Sequence, residues 1–324
     1  MKIKKKVSFF IGLICLVVMI SACSNVQTNQ TDSSTDSKAG EKLVVGVSLP
    51  TFTDVWLTYL HDGMKEHAAQ FDDVEVIYVD AQNDASKQLA QIETFITRGV
   101  DSIVIMPADV TTAPDMVARA NEANIPNIIV NRTFEGIEAA TSYIGSDSIT
   151  AGVMQMEEVT KHLDGKGNIA IMTGELGQEA AIKRTDGNKQ VIDEYPDMNV
   201  VLEGTAEWAR SEGMTLMENW LNSGKQIDAV VANNDEMAIG ALMAAEAAGK
   251  LDEIIFAGID ATPEALKYIK DGKLKVSVYQ NAVGQGQGSI EAAIKAARGA
   301  SVEKTIDIPF ELVTIDNVDE YSNE

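Results

Sequence analysis

A chain of 324 residues, 45% of them apolar, is about twice the usual domain length and has enough apolar side chain for a large core, so two domains are expected. Its 26 Lys and Arg stand against 49 Asp and Glu, and the formal net charge of −23 repels phosphate backbones and excludes a nucleic-acid partner. The same field disfavours an acidic ligand unless local arginines hold it.

Lys2, Lys4, Lys5 and Lys6 precede an apolar run over residues 7–20, the pattern of a secretion signal. The run is shorter than the roughly 20 residues a spanning helix needs. It ends in Ile20-Ser21-Ala22-Cys23, which resembles the bacterial lipobox. That resemblance implies a lipoprotein signal peptide over 1–22, lipidation at Cys23, and anchoring to the outer face of the cell membrane. A plain cleaved signal with an incidental cysteine is the competing explanation. Residues 24–40 are Ser, Thr, Asp, Asn and Gln with hardly an apolar residue, too little to fold, so 23–41 reads as a solvated tether. Cys15 lies in the signal. With Cys23 lipidated, the body has neither a cysteine nucleophile nor a Cys-based metal site.

From Lys42 onward, short apolar runs alternate with amphipathic stretches. LVVGVSL, VEVIYV, SIVIM, NIIV, NIAIM, AVVAN, IIFAGI and LKVSVY read as buried strands. Helical patterns cover 56–70, 86–98, 112–123, 149–163, 179–194, 210–223 and 236–248. Such succession, with continuous rather than alternating strand hydrophobicity, predicts an α/β fold of parallel sheets covered on both faces. Thr262 with Pro263 opens a further helix that Gly272 follows, and Gly249 ends another. The short strand 141–147 reads as a crossing between two lobes.

In open α/β sheets ligands bind beyond the carboxyl ends of the strands. Asn131 and Arg132 follow NIIV, Asn234 and Asp235 follow AVVAN, Asp260 follows IIFAGI, and Gln280 and Asn281 follow LKVSVY. A polyol needs this inventory, because each hydroxyl both donates and accepts, and amides, carboxylates and guanidinium supply the complements. Trp56 and Trp208 are candidates to lie against the apolar face of a ring. For any single residue the plainer explanation is a helix cap or core packing.

Asp62-Gly63, Ala123-Asn124-Ile125-Pro126, Asn131-Arg132, the run Asn234 to Ala241, Gly258-Ile259-Asp260-Ala261-Thr262-Pro263 and Asp271-Gly272-Lys273-Leu274 carry a resemblance to the type I periplasmic sugar-binding family. This family comprises ribose-, galactose- and inositol-binding proteins. The resemblance covers 42–314 and implies two Rossmann-like lobes joined by a multi-strand hinge: 42–146 with 281–310, and 147–280 with 311–324. It also implies a monomer, without cofactor or metal, that delivers a small polyol or sugar to an ABC permease. By the same resemblance the ligand is held by Asn131, Arg132, Arg184, Trp208, Asn234, Asp260 and Gln280, with Asp54 and Trp56 from a first loop that departs from the family pattern. There Leu57 replaces one aromatic, and Phe52 is the expected substitute ring. Asn131 stands where ribose binders have Asp, a departure that resembles the inositol and rhizopine branch, as do the stretch Tyr143 to Ser148 and the Trp208 region. Ribose and galactose stay open.

A secreted enzyme is the rival class, but there is no Gly-x-Ser-x-Gly elbow, and His61, His67 and His162 read as surface helix residues. Gly284, Gly286 and Gly288 lack phosphate-loop and dinucleotide spacing and are expected to let a helix start pack closely. Asp80 to Asp84 lacks the ligand spacing of a calcium loop. A sensor that contacts a receptor kinase would carry the same residues. A gene-regulating relative is disfavoured by a secretion signal where a DNA-binding segment would stand.

Overall fold

The apolar runs form strands of two parallel sheets and of an antiparallel pair in the structure, a computed structural model that describes residues 42–321. The predicted signal, tether and Cys23 lie outside the described residues. In chain order, β1 (Leu43–Leu49), α1 (Val55–Ala68), β2 (Val74–Asp80), α2 (Ala85–Arg98), β3 (Ser102–Ile105), α3 (Ala113–Glu122), β4 (Asn127–Val130) and β5 (Ser142–Gly145) form the first series. The second series runs α4 (Ser148–His162), β6 (Lys166–Thr173), α5 (Glu179–Ile192), β7 (Asp197–Thr205), α6 (Arg210–Asn222), β8 (Ala229–Ala232), α7 (Asp235–Ala247), β9 (Ile255–Ala257), α8 (Pro263–Lys270) and β10 (Ser277–Tyr279). The chain returns through α9 (Ala282–Ala297) and β11 (Thr305–Asp307) and then forms β12 (Glu311–Val313).

The first sheet has the order β11-β5-β4-β3-β1-β2 with every pairing parallel. The second has the order β7-β6-β8-β9, also parallel, and the antiparallel pair β10-β12 continues its edge through the bridges Ala257 to Val276 and Asp260 to Tyr279. Side chains alternate across each strand. On β3, Val104 therefore joins a core built with Leu57, Leu60 and Ile290 from α1 and α9, while Ile103 and Ile105 join Phe95 and Met116 from α2 and α3. Removing each such side chain from water stabilises the fold by about 1.5–3 kcal/mol.

The chain passes between the sheets at 145–148, 279–282 and 307–311, so the halves are joined by several strands of chain. β7, β11 and β12 are the strands that the apolar pattern missed. All three lie at sheet edges, and exposed residues interrupt their hydrophobicity. The expected strands IIFAGI and LKVSVY shorten to Ile255–Ala257 and Ser277–Tyr279.

Local chemistry fixes the helix starts. Asp54, Asp84, Asn234, Thr262 and Asn281 each accept a hydrogen bond from a backbone N–H in the first turn of the helix they precede. The glycine-rich start of α9 lets two backbones meet: a Cβ on Gly286 would lie 2.3 Å from the Leu60 carbonyl oxygen of α1. α4 and α5 interlock the same way, since a Cβ on Gly152 would lie 2.0 Å from the carbonyl oxygen of Arg184. His61 corrects the surface reading. It is buried between the rings of Phe52 and Tyr78, at centroid distances of 4.5 and 4.7 Å. The α1 face that carries it turns toward β2, which the polar character of histidine did not reveal. His67 is half-buried and shares a 3.0 Å hydrogen bond with Glu291.

Candidate functional site

The carboxyl ends of both sheets converge on one cavity, with about 50 Å³ open to the centre of a water molecule, several times what a single water requires. Asp54, Trp56, Asn131, Arg132, Arg184, Trp208, Asn234, Asp260 and Gln280 all line it, together with Leu57, Met106, Gln178 and Ala180.

On the side of the first sheet, the Asp54 Oδ1 caps α1 by accepting from Leu57 N at 2.9 Å. Burial pushes its carboxyl above the usual range, opposed by that cap and by the charge of Arg132. Arg132 is itself pushed down by burial and held up by Asp54 and Glu175. Its Nη1 donates to the Pro107 carbonyl at 2.8 Å, which fixes the guanidinium plane. Asn131 sits at φ 66°, a left-handed conformation that asparagine tolerates better than most residues, and its Nδ2 donates to Gln285 Oε1 at 3.0 Å. The Trp56 Nε1 donates to the Gln280 carbonyl at 3.1 Å, which ties α1 to the returning chain.

On the other side, Arg184 projects from α5, 4% exposed. Its Nη1 donates to the Asn233 carbonyl at 2.7 Å and its Nη2 to Gln280 Oε1 at 2.8 Å. Among the described residues its Nε has no hydrogen-bond partner, and neither does Asp260 Oδ1, which stands 3.8 Å from Arg184 Nη1. Burial raises the Asp260 carboxyl well above the usual range against the pull of Arg184. The Trp208 ring lies over Gly174, where a Cβ would come within 2.1 Å of it, and its Nε1 donates to Gln178 Oε1 at 3.0 Å. Arg184 stands 5.8 Å from the centre of that ring. Asn234 caps α7 through its Oδ1 and donates from Nδ2 to the Trp208 carbonyl at 3.2 Å, so its cap and site placements coincide.

Two guanidinium groups thus face two carboxylates, with carboxamides and two indoles between them. Buried polar atoms without partners cost about 1–3 kcal/mol each, a cost that a guest hydrogen-bonding to them offsets. Hydroxyls do so without adding charge.

Phe52 is not the substitute ring: it stacks on His61 instead of lining the cavity, because the Thr51 to Asp54 turn directs it toward β2. Asn281 caps α9 and Asp235 is buried beneath Thr262, so neither lines the cavity. Gln178 was missed. It follows the strand NIAIM at a carboxyl end, but after the intervening Gly174-Glu175-Leu176-Gly177, and that distance hid it. Asp235 and Glu236 diverge: Glu236 pairs with Arg210 at 2.8 Å, while Asp235 accepts from Ser277 Oγ at 2.7 Å.

The periplasmic binding protein domain family matches residues 45–301. A solved ABC transporter solute-binding protein from Bacillus halodurans C-125 with bound myo-inositol is 57% identical, with a TM-score of 0.86 over 88% of this chain and 99% of that one. A protein named for rhizopine binding in Rhizobium meliloti is 42% identical over 89% of this chain and 95% of its own length. The ribose import binding protein of Bacillus subtilis is 33% identical over 96% of this chain and 99% of its own.

Proposed function

We propose a task for this chain, which belongs to the periplasmic binding protein domain family: it is the extracytoplasmic solute-binding protein of an ABC-type importer, and its solute is a cyclitol of the myo-inositol kind. The observation that carries the ligand class is the cavity with its partnerless Arg184 Nε and Asp260 Oδ1. Its balanced charges suit an uncharged ring rich in hydroxyls, and its indoles suit the ring's apolar face. The family binds solutes and performs no turnover.

Asp54, Trp56, Asn131 and Arg132 hold the ligand from one lobe, 42–146 with 281–310; Arg184, Trp208, Asn234 and Asp260 hold it from the other, 147–280 with 311–324; Gln280 bridges them at the hinge. A ligand that bonds both lobes favours the closed form, which has both sets of contacts, over the open form, which has one. A membrane permease then reads the closed shape of a monomer. Lipid attachment at Cys23 keeps the body at the membrane; Cys23→Ala protein recovered in the soluble fraction supports this, and unchanged membrane recovery refutes it.

Ribose is the second reading, favoured by the 33% identical import protein. Thermal unfolding of the folded chain with myo-inositol, scyllo-inositol, amino-cyclitols, ribose and galactose separates the two, because a ligand of the folded form raises its melting temperature. Stabilisation is expected to be largest with a cyclitol. A larger shift with ribose overturns the cyclitol assignment, and no shift with any polyol overturns the ligand class.

A further inference from the structure

Behind the cavity, a buried chain of hydrogen bonds runs from Asn131 through Gln285 and Ser146 to the Ile308 carbonyl at another crossing between the sheets. Its polarity follows from its far end. A carbonyl carries no proton, so the Ser146 hydroxyl, with Oγ 2.5 Å from the Ile308 oxygen, is the donor there. That bond uses the only proton of the hydroxyl, so at 2.9 Å from Gln285 the Ser146 Oγ accepts, and the atom facing it is Gln285 Nε2. Gln285 then turns Oε1 to Asn131, which answers with Nδ2 at 3.0 Å. Gln285 is fully buried, and Ser146 is 7% exposed, so no bulk water competes for these groups. Asn131 lines the cavity with its Oδ1 free of any protein partner among the described residues.

We propose that Gln285, itself outside the cavity, is a positioning residue for ligand recognition: it locks the Asn131 amide with its oxygen toward the guest, so this position accepts a hydrogen bond from a ring hydroxyl and offers none. The neutral amide thereby performs the acceptor role of a carboxylate without introducing a charge. The inference rests on the polyol reading above and deepens it into a rule for one hydroxyl.

The test is calorimetric binding of the full chain to myo-inositol and to each monofluoro-deoxy-inositol, since a C–F group in place of C–OH cannot donate. Asn131→Gly, which retains the left-handed backbone, identifies the ring position that Asn131 reads: the one whose fluorination penalty it removes. At that position the parent protein is expected to lose about tenfold in affinity on fluorination. In Gln285→Leu the amide is free to turn over, and the penalty there falls to about threefold or less while penalties elsewhere persist. Gln285→Glu restores the parent penalty, because a buried, protonated carboxyl still donates to Ser146 and accepts from Asn131. Ser146→Ala removes the same constraint and serves if Gln285→Leu does not fold. An unaltered penalty at the Asn131 position in these uncoupled variants, or an equal fall at all positions, overturns the proposal. Binding of no cyclitol by the parent removes the cyclitol assignment and this inference together, whereas tight binding with an unaltered penalty removes the inference alone.

Discussion

Arg184 Nη1 stands 3.8 Å from Asp260 Oδ1, both residues are buried, and Arg184 Nε and Asp260 Oδ1 lack hydrogen-bond partners among the described residues. The two charges hold each other in place yet leave bonds for a third party. Removing one partner strands the other. Arg184→Met is expected to destabilise the empty protein by about 3–5 kcal/mol in urea unfolding, and the double variant Arg184→Met with Asp260→Leu to recover part of that loss. Neither should bind a polyol in calorimetry. An Arg184→Met protein as stable as the parent would show that the pair does not interact.

Gly152 governs the position of Arg184 from a distance in sequence, because the α4 backbone rests on the Arg184 carbonyl. In Gly152→Ala the added Cβ meets backbone, so the helices must separate. The expected cost is about 1–3 kcal/mol of stability together with weaker ligand binding. Denaturation and calorimetry on the same preparation check both, and full affinity at reduced stability would mean that Arg184 tolerates the shift.

Asp235 is buried beneath the Asp260 loop, where Thr262 N donates to it at 2.9 Å, and burial pushes its carboxyl up to about 7. In the unfolded chain the value is about 3.9, so between about pH 4 and pH 7 the folded protein holds the extra proton and stability falls as pH rises. The raised Asp260 carboxyl acts in the same direction. Melting temperatures of Asp235→Asn across this range should therefore decline less than those of the parent. Parallel curves would rule out the assigned titration.

The Trp208 ring is half-buried and rests on Gly174. Trp208→Ala should cost roughly ten- to a hundredfold in polyol affinity, and Gly174→Ala, by displacing the ring, should reproduce most of that loss. Normal affinity in both would place the ring outside the ligand's reach.

How far the sequence could be read depended on burial. NIIV and AVVA are covered on both faces, so every residue but Asn127 is apolar and the run announces a central strand. Asp197–Thr205 lies at an edge, with most of its residues partly or fully exposed, and its short run Val200-Val201-Leu202 is set among Asp197, Asn199, Glu203 and Gly204. The site was legible where chemistry sits directly after a strand, as at Asn131, Asn234, Asp260 and Gln280. It was illegible where the chain first makes a turn: Gln178 stands beyond such a turn, and Phe52 was assigned to the cavity from its type although it packs on His61.

Local order in the sequence by itself determined the strand and helix succession, the helix caps and hence the end of each sheet at which polar groups gather, because these follow from periodicity and from bonds within a few residues. Only the tertiary structure decided what those groups offer. Asn131 meets Gln285 across 154 residues and Arg184 meets Gln280 across 96, and such contacts determine which lone pairs and protons remain for a guest. Donor and acceptor are properties of the folded network rather than of residue type, since an amide presents either face until a neighbour fixes it.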